Sequence, residues 1–146
     1  MAKQHMLLVV FAFLLPIALS LLISAYFSAA ETAITGASPA VIHQLAQEGN
    51  TRARLVQKLQ ADKDMLISSV LIGNIAANIF SSSAATALFL QVLGDEGMLV
   101  STVVMTILVL IFAEITPKSY ALLSPEDLAL KLAPSLTSLL KLLLPI

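Results

Sequence analysis

One carboxylate, Glu114, lies near the end of a long apolar stretch of this sequence. A carboxylate at membrane depth costs roughly 2.5–3.5 kcal/mol on insertion scales, so residues of this kind are usually functional. Two other apolar stretches have oxygen-bearing side chains at four-residue spacing, on one face of a helix: Ser20, Ser24 and Ser28 in the first, Asn74 and Asn78 in the second. Carboxylate, amide and hydroxyl oxygens are the ligands of magnesium and sodium. The pattern therefore indicates a cation site inside a membrane protein.

Two further residues affect the backbone around this set. Gly73, next to Asn74, permits close approach of a second helix. Pro117 has no N–H, so the carbonyl of Ala113 loses its helical partner beside Glu114. We expect an unwound stretch there, which is tolerated inside a membrane where it is buried in protein or lines a cavity.

The sequence leaves structural interpretations of the same residues open. Asparagines in membrane helices often only bond a neighbouring helix, at roughly 0.6–2 kcal/mol, and serines allow close packing. Lys118, four residues after Glu114, could neutralise it. Glu31 competes for that lysine, and if Lys118 pairs with Glu31, then Glu114 is left for a metal. His5 and His43 lie outside the apolar stretches, and we interpret neither as a ligand.

Composition places the chain in a membrane. It has 146 residues, 58% of them hydrophobic and 12% charged, whereas soluble domains have about 25% charged residues. Eight basic and nine acidic residues argue against nucleic acid as a partner. The absence of cysteine excludes disulfides and thiolate sites. No histidine or aspartate lies within the apolar stretches to activate a serine, so we expect no enzymatic activity.

The apolar stretches predict an all-α membrane protein, a single transmembrane domain over residues 1–146. Spans are expected at about residues 6–30, 65–92 and 98–118, each long enough to cross a bilayer. The first exceeds the apolar run of a signal peptide, so we expect it to be retained. Basic residues of the long loop, against an acidic turn at Asp95 and Glu96, predict an outside N-terminus and a cytoplasmic loop and C-terminus.

Shorter helices are predicted on the cytoplasmic side. Ser38-Pro39 predicts the start of one helix that stops at Gly49, and Asn50 or Thr51 caps the next, which together form a helical hairpin. A juxtamembrane helix is expected at about residues 125–144, kinked at Pro134. Its polar stripe favours a position at the membrane interface over a fourth span, the alternative. This stripe consists of Lys131, Ser135, Ser138 and Lys141.

Three pieces of the sequence, in this order, resemble the membrane domain of the CorC/CNNM family of magnesium transporters. They are residues 27–33 (FSAAETA), 72–79 (IGNIAANI) and 114–119 (EITPKS). The resemblance implies three transmembrane helices, a cytoplasm-facing helical belt, a homodimer in the plasma membrane, and magnesium export driven by sodium entry. It places the metal ligands on Ser28, Asn74 and Glu114, with Ser24, Asn78 and Gly73 as further contacts and Pro117, Lys118 and Glu31 around the site.

Family members usually have nucleotide-binding CBS domains after this region. The chain ends within an apolar run, so we expect a longer protein in which any nucleotide control lies outside this chain. Ala29 and Ala30 stand where glycine or serine is common in the family, a departure expected to affect packing rather than ligation. Two other functions stay open: a passive divalent-cation channel, and a structural membrane module without transport.

Overall fold

The structure, a computed structural model, describes residues 2–143, the last without its side chain. Regular structure in this range is entirely helical, which confirms the all-α prediction. The helices are α1 (Ala2–Gly36), α2 (Pro39–Gln47), α3 (Thr51–Ala61), α4 (Lys63–Leu93), a 3-10 turn (Gly94–Glu96), α5 (Gly97–Leu108), a π-helical segment (Val109–Ile115), α6 (Thr116–Leu123) and α7 (Pro125–Leu143).

Within residues 2–143, two stretches are long and apolar enough to cross a membrane, Ala2–Gly36 and Lys63–Leu123. The second reverses direction at the 3-10 turn, where Gly94 adopts a φ of +74°. The hydroxyl oxygens of Thr86 in α4 and Ser101 in α5 lie 3.1 Å apart. The two residues are at similar distances in sequence from the 3-10 turn. α4 and α5 are therefore antiparallel neighbours, while the count of three membrane crossings stays a prediction.

The helix α1 is the centre of the packing. It contacts α4, α6, α7 and the π-helical segment. One apolar core joins α1 to α3, α4 and α7 around Phe27, Ile34 and Leu66. A smaller core joins α1, α4 and α5 around Ile17, Leu88 and Met105. These two cores set the positions of the polar side chains that lie between them.

The predicted pair of short helices is present, and α2 contacts α3. Gly49 ends the first with a φ of +96°, and the Asn50 side chain caps the second by accepting the N–H of Ala53 at 3.1 Å. Ser38 occupies the N-cap position of α2, but its side chain makes no cap bond. Its N–H instead donates to Glu126 Oε1 at 3.1 Å, which ties α2 to α7.

The helix α7 is amphipathic, as its sequence predicts. Lys131, Ser135, Ser138 and Lys141 are exposed, while Ala129, Ala133, Leu136 and Leu140 are buried. α7 continues through Pro134 as one helix, so the expected kink does not interrupt it. Because its buried face packs on α1 and α3, α7 closes the layer formed by the short helices. Residue 144 of the predicted juxtamembrane helix lies outside the described residues.

Candidate cation site

Three of the predicted ligands form a hydrogen-bonded group between α1 and α4. Ser24 and Ser28 are fully buried, and Asn74 is half-buried. The Ser24 hydroxyl donates to Asn74 Oδ1 at 3.0 Å, and Asn74 Nδ2 donates to Ser28 Oγ at 3.4 Å. Four-residue spacing on α1 brings both serines to one side of the asparagine. The Asn74 amide thus bridges the two serine hydroxyls. The three side chains form a compact set of oxygen atoms of the kind that ligate cations.

Gly73 allows this group to form. A Cβ atom at this position would lie 2.9 Å from Cε2 of Phe27, closer than real Cβ atoms approach other carbons. Phe27 precedes Ser28 in α1 and is almost fully buried. The glycine therefore sets the spacing of α1 and α4 at the level of Asn74.

Asn78 and Glu114 line a cavity between α4, α5 and the π-helical segment, with a volume of about 440 Å³. Asn78 Oδ1 is buried and has no hydrogen-bond partner among the described residues. A buried polar atom left without a partner costs about 1–3 kcal/mol. This oxygen is therefore a buried acceptor that the packing of the described helices leaves unsatisfied.

Glu114 belongs to the π-helical segment Val109–Ile115. The sequence predicts an unwound backbone here, and the structure corrects this to a wider helical turn in which the N–H of Thr116 donates to Ile111 O. Pro117 lies just after this segment and has no N–H to donate, which disfavours regular α-helical bonding at this point. π-helical turns inside α-helices frequently occur at functional sites, and this one contains the site carboxylate.

Lys118 pairs with Glu114, with Nζ at 3.1 Å from Oε2. Of the two partners that the sequence leaves open for this lysine, the structure shows Glu114. Glu31 lies near enough to interact electrostatically with Lys118 and Glu114. The Lys118 and Glu114 side chains are 48% and 34% exposed in the isolated chain, and pairs at this spacing contribute about 0.3–0.5 kcal/mol in water. The ammonium would compete with a divalent cation for the carboxylate.

The predicted site residues thus fall into two neighbouring groups. Ser24, Ser28 and Asn74 form one, and Asn78 and Glu114 line the cavity. Within residues 2–143, no hydrogen bond or ion pair joins Glu114 to the first group, although α1 contacts the π-helical segment. The same range contains no cluster of three or more His, Cys, Asp or Glu side chains. A cation bound here would have one carboxylate and mostly neutral oxygens.

The cavity is also lined by Ser82, which lies one turn beyond Asn78, and by the apolar side chains of Met105, Val109 and Leu110. Sequence reasoning missed four further hydroxyls of the lining, those of Thr86, Ser101, Thr102 and Thr106. The four-residue spacing of polar residues along each helix already indicated most of these hydroxyls. Asn74, Asn78, Ser82 and Thr86 recur every four residues, and Thr102 and Thr106 have the register of Glu114.

These features define a multi-pass helical membrane domain with carboxylate, amide and hydroxyl side chains between its helices. Residues 14–146 match the family described as the cyclin M transmembrane N-terminal domain. The chain belongs to this CNNM family, which confirms the resemblance seen in the three sequence pieces.

Curated relatives agree with the family assignment. The chain is 43% identical over 107 residues to the UPF0053 inner membrane protein YfjD of Escherichia coli, covering 73% of this chain and 25% of that protein. It is 36% identical over 126 residues to a UPF0053 protein of Haemophilus influenzae, covering 86% and 30%. It is also 37% identical over 111 residues to a chloroplastic DUF21 domain-containing protein of Arabidopsis thaliana, covering 73% and 16%. The chain spans less than a third of the length of each relative.

Proposed function

We propose that this chain is the membrane domain of a transporter that carries magnesium across the plasma membrane. The observation that supports this most is the placement of Glu114 in a cavity that Asn78 and five hydroxyl side chains also line. Ser24, Ser28 and Asn74 add neutral oxygens from the adjoining helix pair. Magnesium prefers oxygen ligands in octahedral geometry and usually keeps several waters. This donor set, with room for water, suits that ion.

One carboxylate with neutral oxygens leaves a net positive charge on a bound magnesium ion, so its affinity should be modest. Modest affinity suits a transporter, because the cargo must be released on the other side. We propose export coupled to sodium entry, in which α1 and the α5–α6 segment tilt against α4 while the ion stays near Glu114. The family resemblance and the π-helical irregularity at Glu114 support this mechanism.

The orientation proposed is an outside N-terminus with α2, α3 and α7 in the cytoplasm. Arg52, Arg54 and Lys58 of α3 support it through the positive-inside rule. We propose a homodimer and sodium as the coupling ion, on the family resemblance. No catalytic activity is proposed for this chain, and nucleotide control would lie in other parts of a longer protein.

One observation favours a second function, a structural membrane module without transport. The Glu114–Lys118 contact of 3.1 Å neutralises the carboxylate within the protein itself. If this pair persisted in saturating magnesium, Glu114 would serve only to hold the helix end in place. The exposure of both side chains in the isolated chain supports the transporter instead, because the helices do not enclose the pair.

Magnesium flux in proteoliposomes tests the proposal. Glu114→Gln keeps the size of the side chain but removes its charge, and we expect at least a tenfold loss of flux. Glu48→Gln is the matched control, because Glu48 is exposed at the end of α2, away from the cavity, and its flux should equal that of the unchanged chain. Equal flux in both variants would contradict the proposed site at Glu114, and flux no higher than in protein-free liposomes for the unchanged chain would favour the structural module. Magnesium flux that does not depend on a sodium gradient would contradict sodium coupling and favour a channel.

A further inference from the structure

A stripe of hydroxyls extends the cavity along α4 and α5, beyond the predicted ligands. On α4 the stripe follows Asn78 with Ser82 and Thr86, and on α5 it consists of Ser101, Thr102 and Thr106. From Ser101 to Glu114 the helix advances about 20 Å at 1.5 Å per residue. The hydroxyls therefore extend from the region of the site carboxylate to within about two turns of the Gly94–Glu96 reversal, with Met105, Val109 and Leu110 also in the lining.

The threonine hydroxyls of this stripe donate their hydrogen bonds to backbone carbonyls of their own helices. Thr86 donates to Ser82 O at 2.8 Å, Thr102 to Met98 O at 2.9 Å, and Thr106 to Thr102 O at 2.6 Å. A hydroxyl has one proton and two lone pairs, so each threonine retains acceptor capacity only. Because Thr86 has used its proton, the 3.1 Å contact with Ser101 makes Ser101 the donor.

The hydroxyls of the cavity consequently present acceptors, and the apolar side chains of Met105, Val109 and Leu110 line the cavity beside them. Glu114 adds a carboxylate at one end. A surface of this kind attracts water protons and cations, and it repels anions. At the other end, Asp95 and Glu96 are exposed acidic residues on the turn that joins α4 to α5.

The size of the cavity fits a hydrated ion. Six waters around an octahedral magnesium ion need roughly 180 Å³ at ~30 Å³ per water. The volume of about 440 Å³ accommodates that shell with further waters beside it. An ion can therefore occupy the cavity without losing its first hydration shell.

We propose that this cleft between α4 and α5 is a water-filled route for a hydrated cation between Glu114 and the Gly94–Glu96 turn. The identity of that cation as magnesium rests on the proposed function. The cleft gives the ion a path along neutral acceptors, on which it keeps its waters. Direct exchange of water for protein oxygens would then be confined to the region of Glu114.

Cysteine labelling tests this route, because the sequence contains no cysteine of its own. Single cysteines replace Ser82, Thr102 and Thr106 in the full chain in membrane vesicles, which changes side-chain size little. Control cysteines replace Val103 and Ile107, which lie on α5 outside the cleft lining and are 54% and 51% exposed in the isolated chain. The probe is a cationic, membrane-impermeant thiosulfonate, applied from each side of the vesicle.

We expect cleft cysteines to react at least tenfold faster than the two controls. An anionic thiosulfonate should react at least tenfold more slowly than the cationic one at Thr106→Cys, and Glu114→Gln should reduce this preference. Equal rates at cleft and control positions would overturn the route, since lipid or a second copy of the chain would then fill the cleft.

The labelling and flux results separate the two proposals. Loss of flux in Glu114→Gln without labelling of the cleft would refute the route and leave the transporter. Charge-selective labelling together with undiminished flux in Glu114→Gln would refute the proposed role of Glu114 in magnesium transport. The hydrated cation route would then stand for a cation other than magnesium.

Discussion

Replacing Gly73 by alanine should push α1 and α4 apart at the cation site. The added Cβ would lie 2.9 Å from Cε2 and 3.0 Å from Cζ of Phe27. Carbon atoms normally pack about 3.5–4.0 Å apart, so the ring or a helix must move by roughly 0.5–1 Å. The ring is only 5% exposed and packs edge-on against Tyr26 at 5.8 Å between centroids, which limits its freedom to rotate away.

The expected change in stability combines three effects. Alanine favours a helix interior over glycine by about 0.8–1.0 kcal/mol. Overpacking a core costs about 1–3 kcal/mol. A shift of 0.5–1 Å would lengthen the 3.0 Å bond from Ser24 to Asn74 past the limit for a hydrogen bond and remove about 0.5–1.5 kcal/mol. Net destabilisation should be about 1–3 kcal/mol, with weaker magnesium binding.

Thermal unfolding in detergent and magnesium titration by calorimetry measure the two effects. Gly36→Ala is the matched control, because a Cβ there would meet only Pro125 Cβ, at an ordinary 3.7 Å. Phe27→Leu in the Gly73→Ala background removes ring atoms from the clash and should restore part of the magnesium affinity. Unchanged stability and affinity in Gly73→Ala would refute the reasoning, since Phe27 could then move without disturbing α1.

Three further predictions concern single contacts. Lys118→Gln removes the ammonium beside Glu114. Because such a pair contributes about 0.3–0.5 kcal/mol, magnesium should bind about twofold more tightly in calorimetry. Weaker binding would show that the lysine supports the site. Asn50→Ala removes the cap of α3 and should reduce the free energy of unfolding by about 1 kcal/mol with magnesium flux unchanged, whereas a loss of flux would assign this loop a part in transport. Gln60→Leu removes two bonds of 3.0 Å to carbonyls at the end of α1 and should cost about 1–3 kcal/mol in unfolding experiments; full stability would mean that water replaces the amide.

Local patterns in the sequence determined the helices and much of the candidate site. The positions of α2, α3 and α7, and the exposed stripe from Lys131 to Lys141, follow from capping residues and helical periodicity, which act within a few residues of one another. The same periodicity placed Ser24 and Ser28 on one face of α1, and the structure brings both to Asn74.

Contacts between helices were decided only by the tertiary structure. The sequence offered Lys118 two acidic partners, and the packing of α6 beside α1 leaves it on Glu114. It predicted an irregular backbone before Pro117, but the π-helical form depends on how the surrounding helices hold that turn. The hydroxyl cleft appears only where the Ser82 face of α4 meets the Thr102 face of α5. Spacing along one helix sets which residues share a face, whereas the rotation and packing of neighbouring helices set what that face contacts.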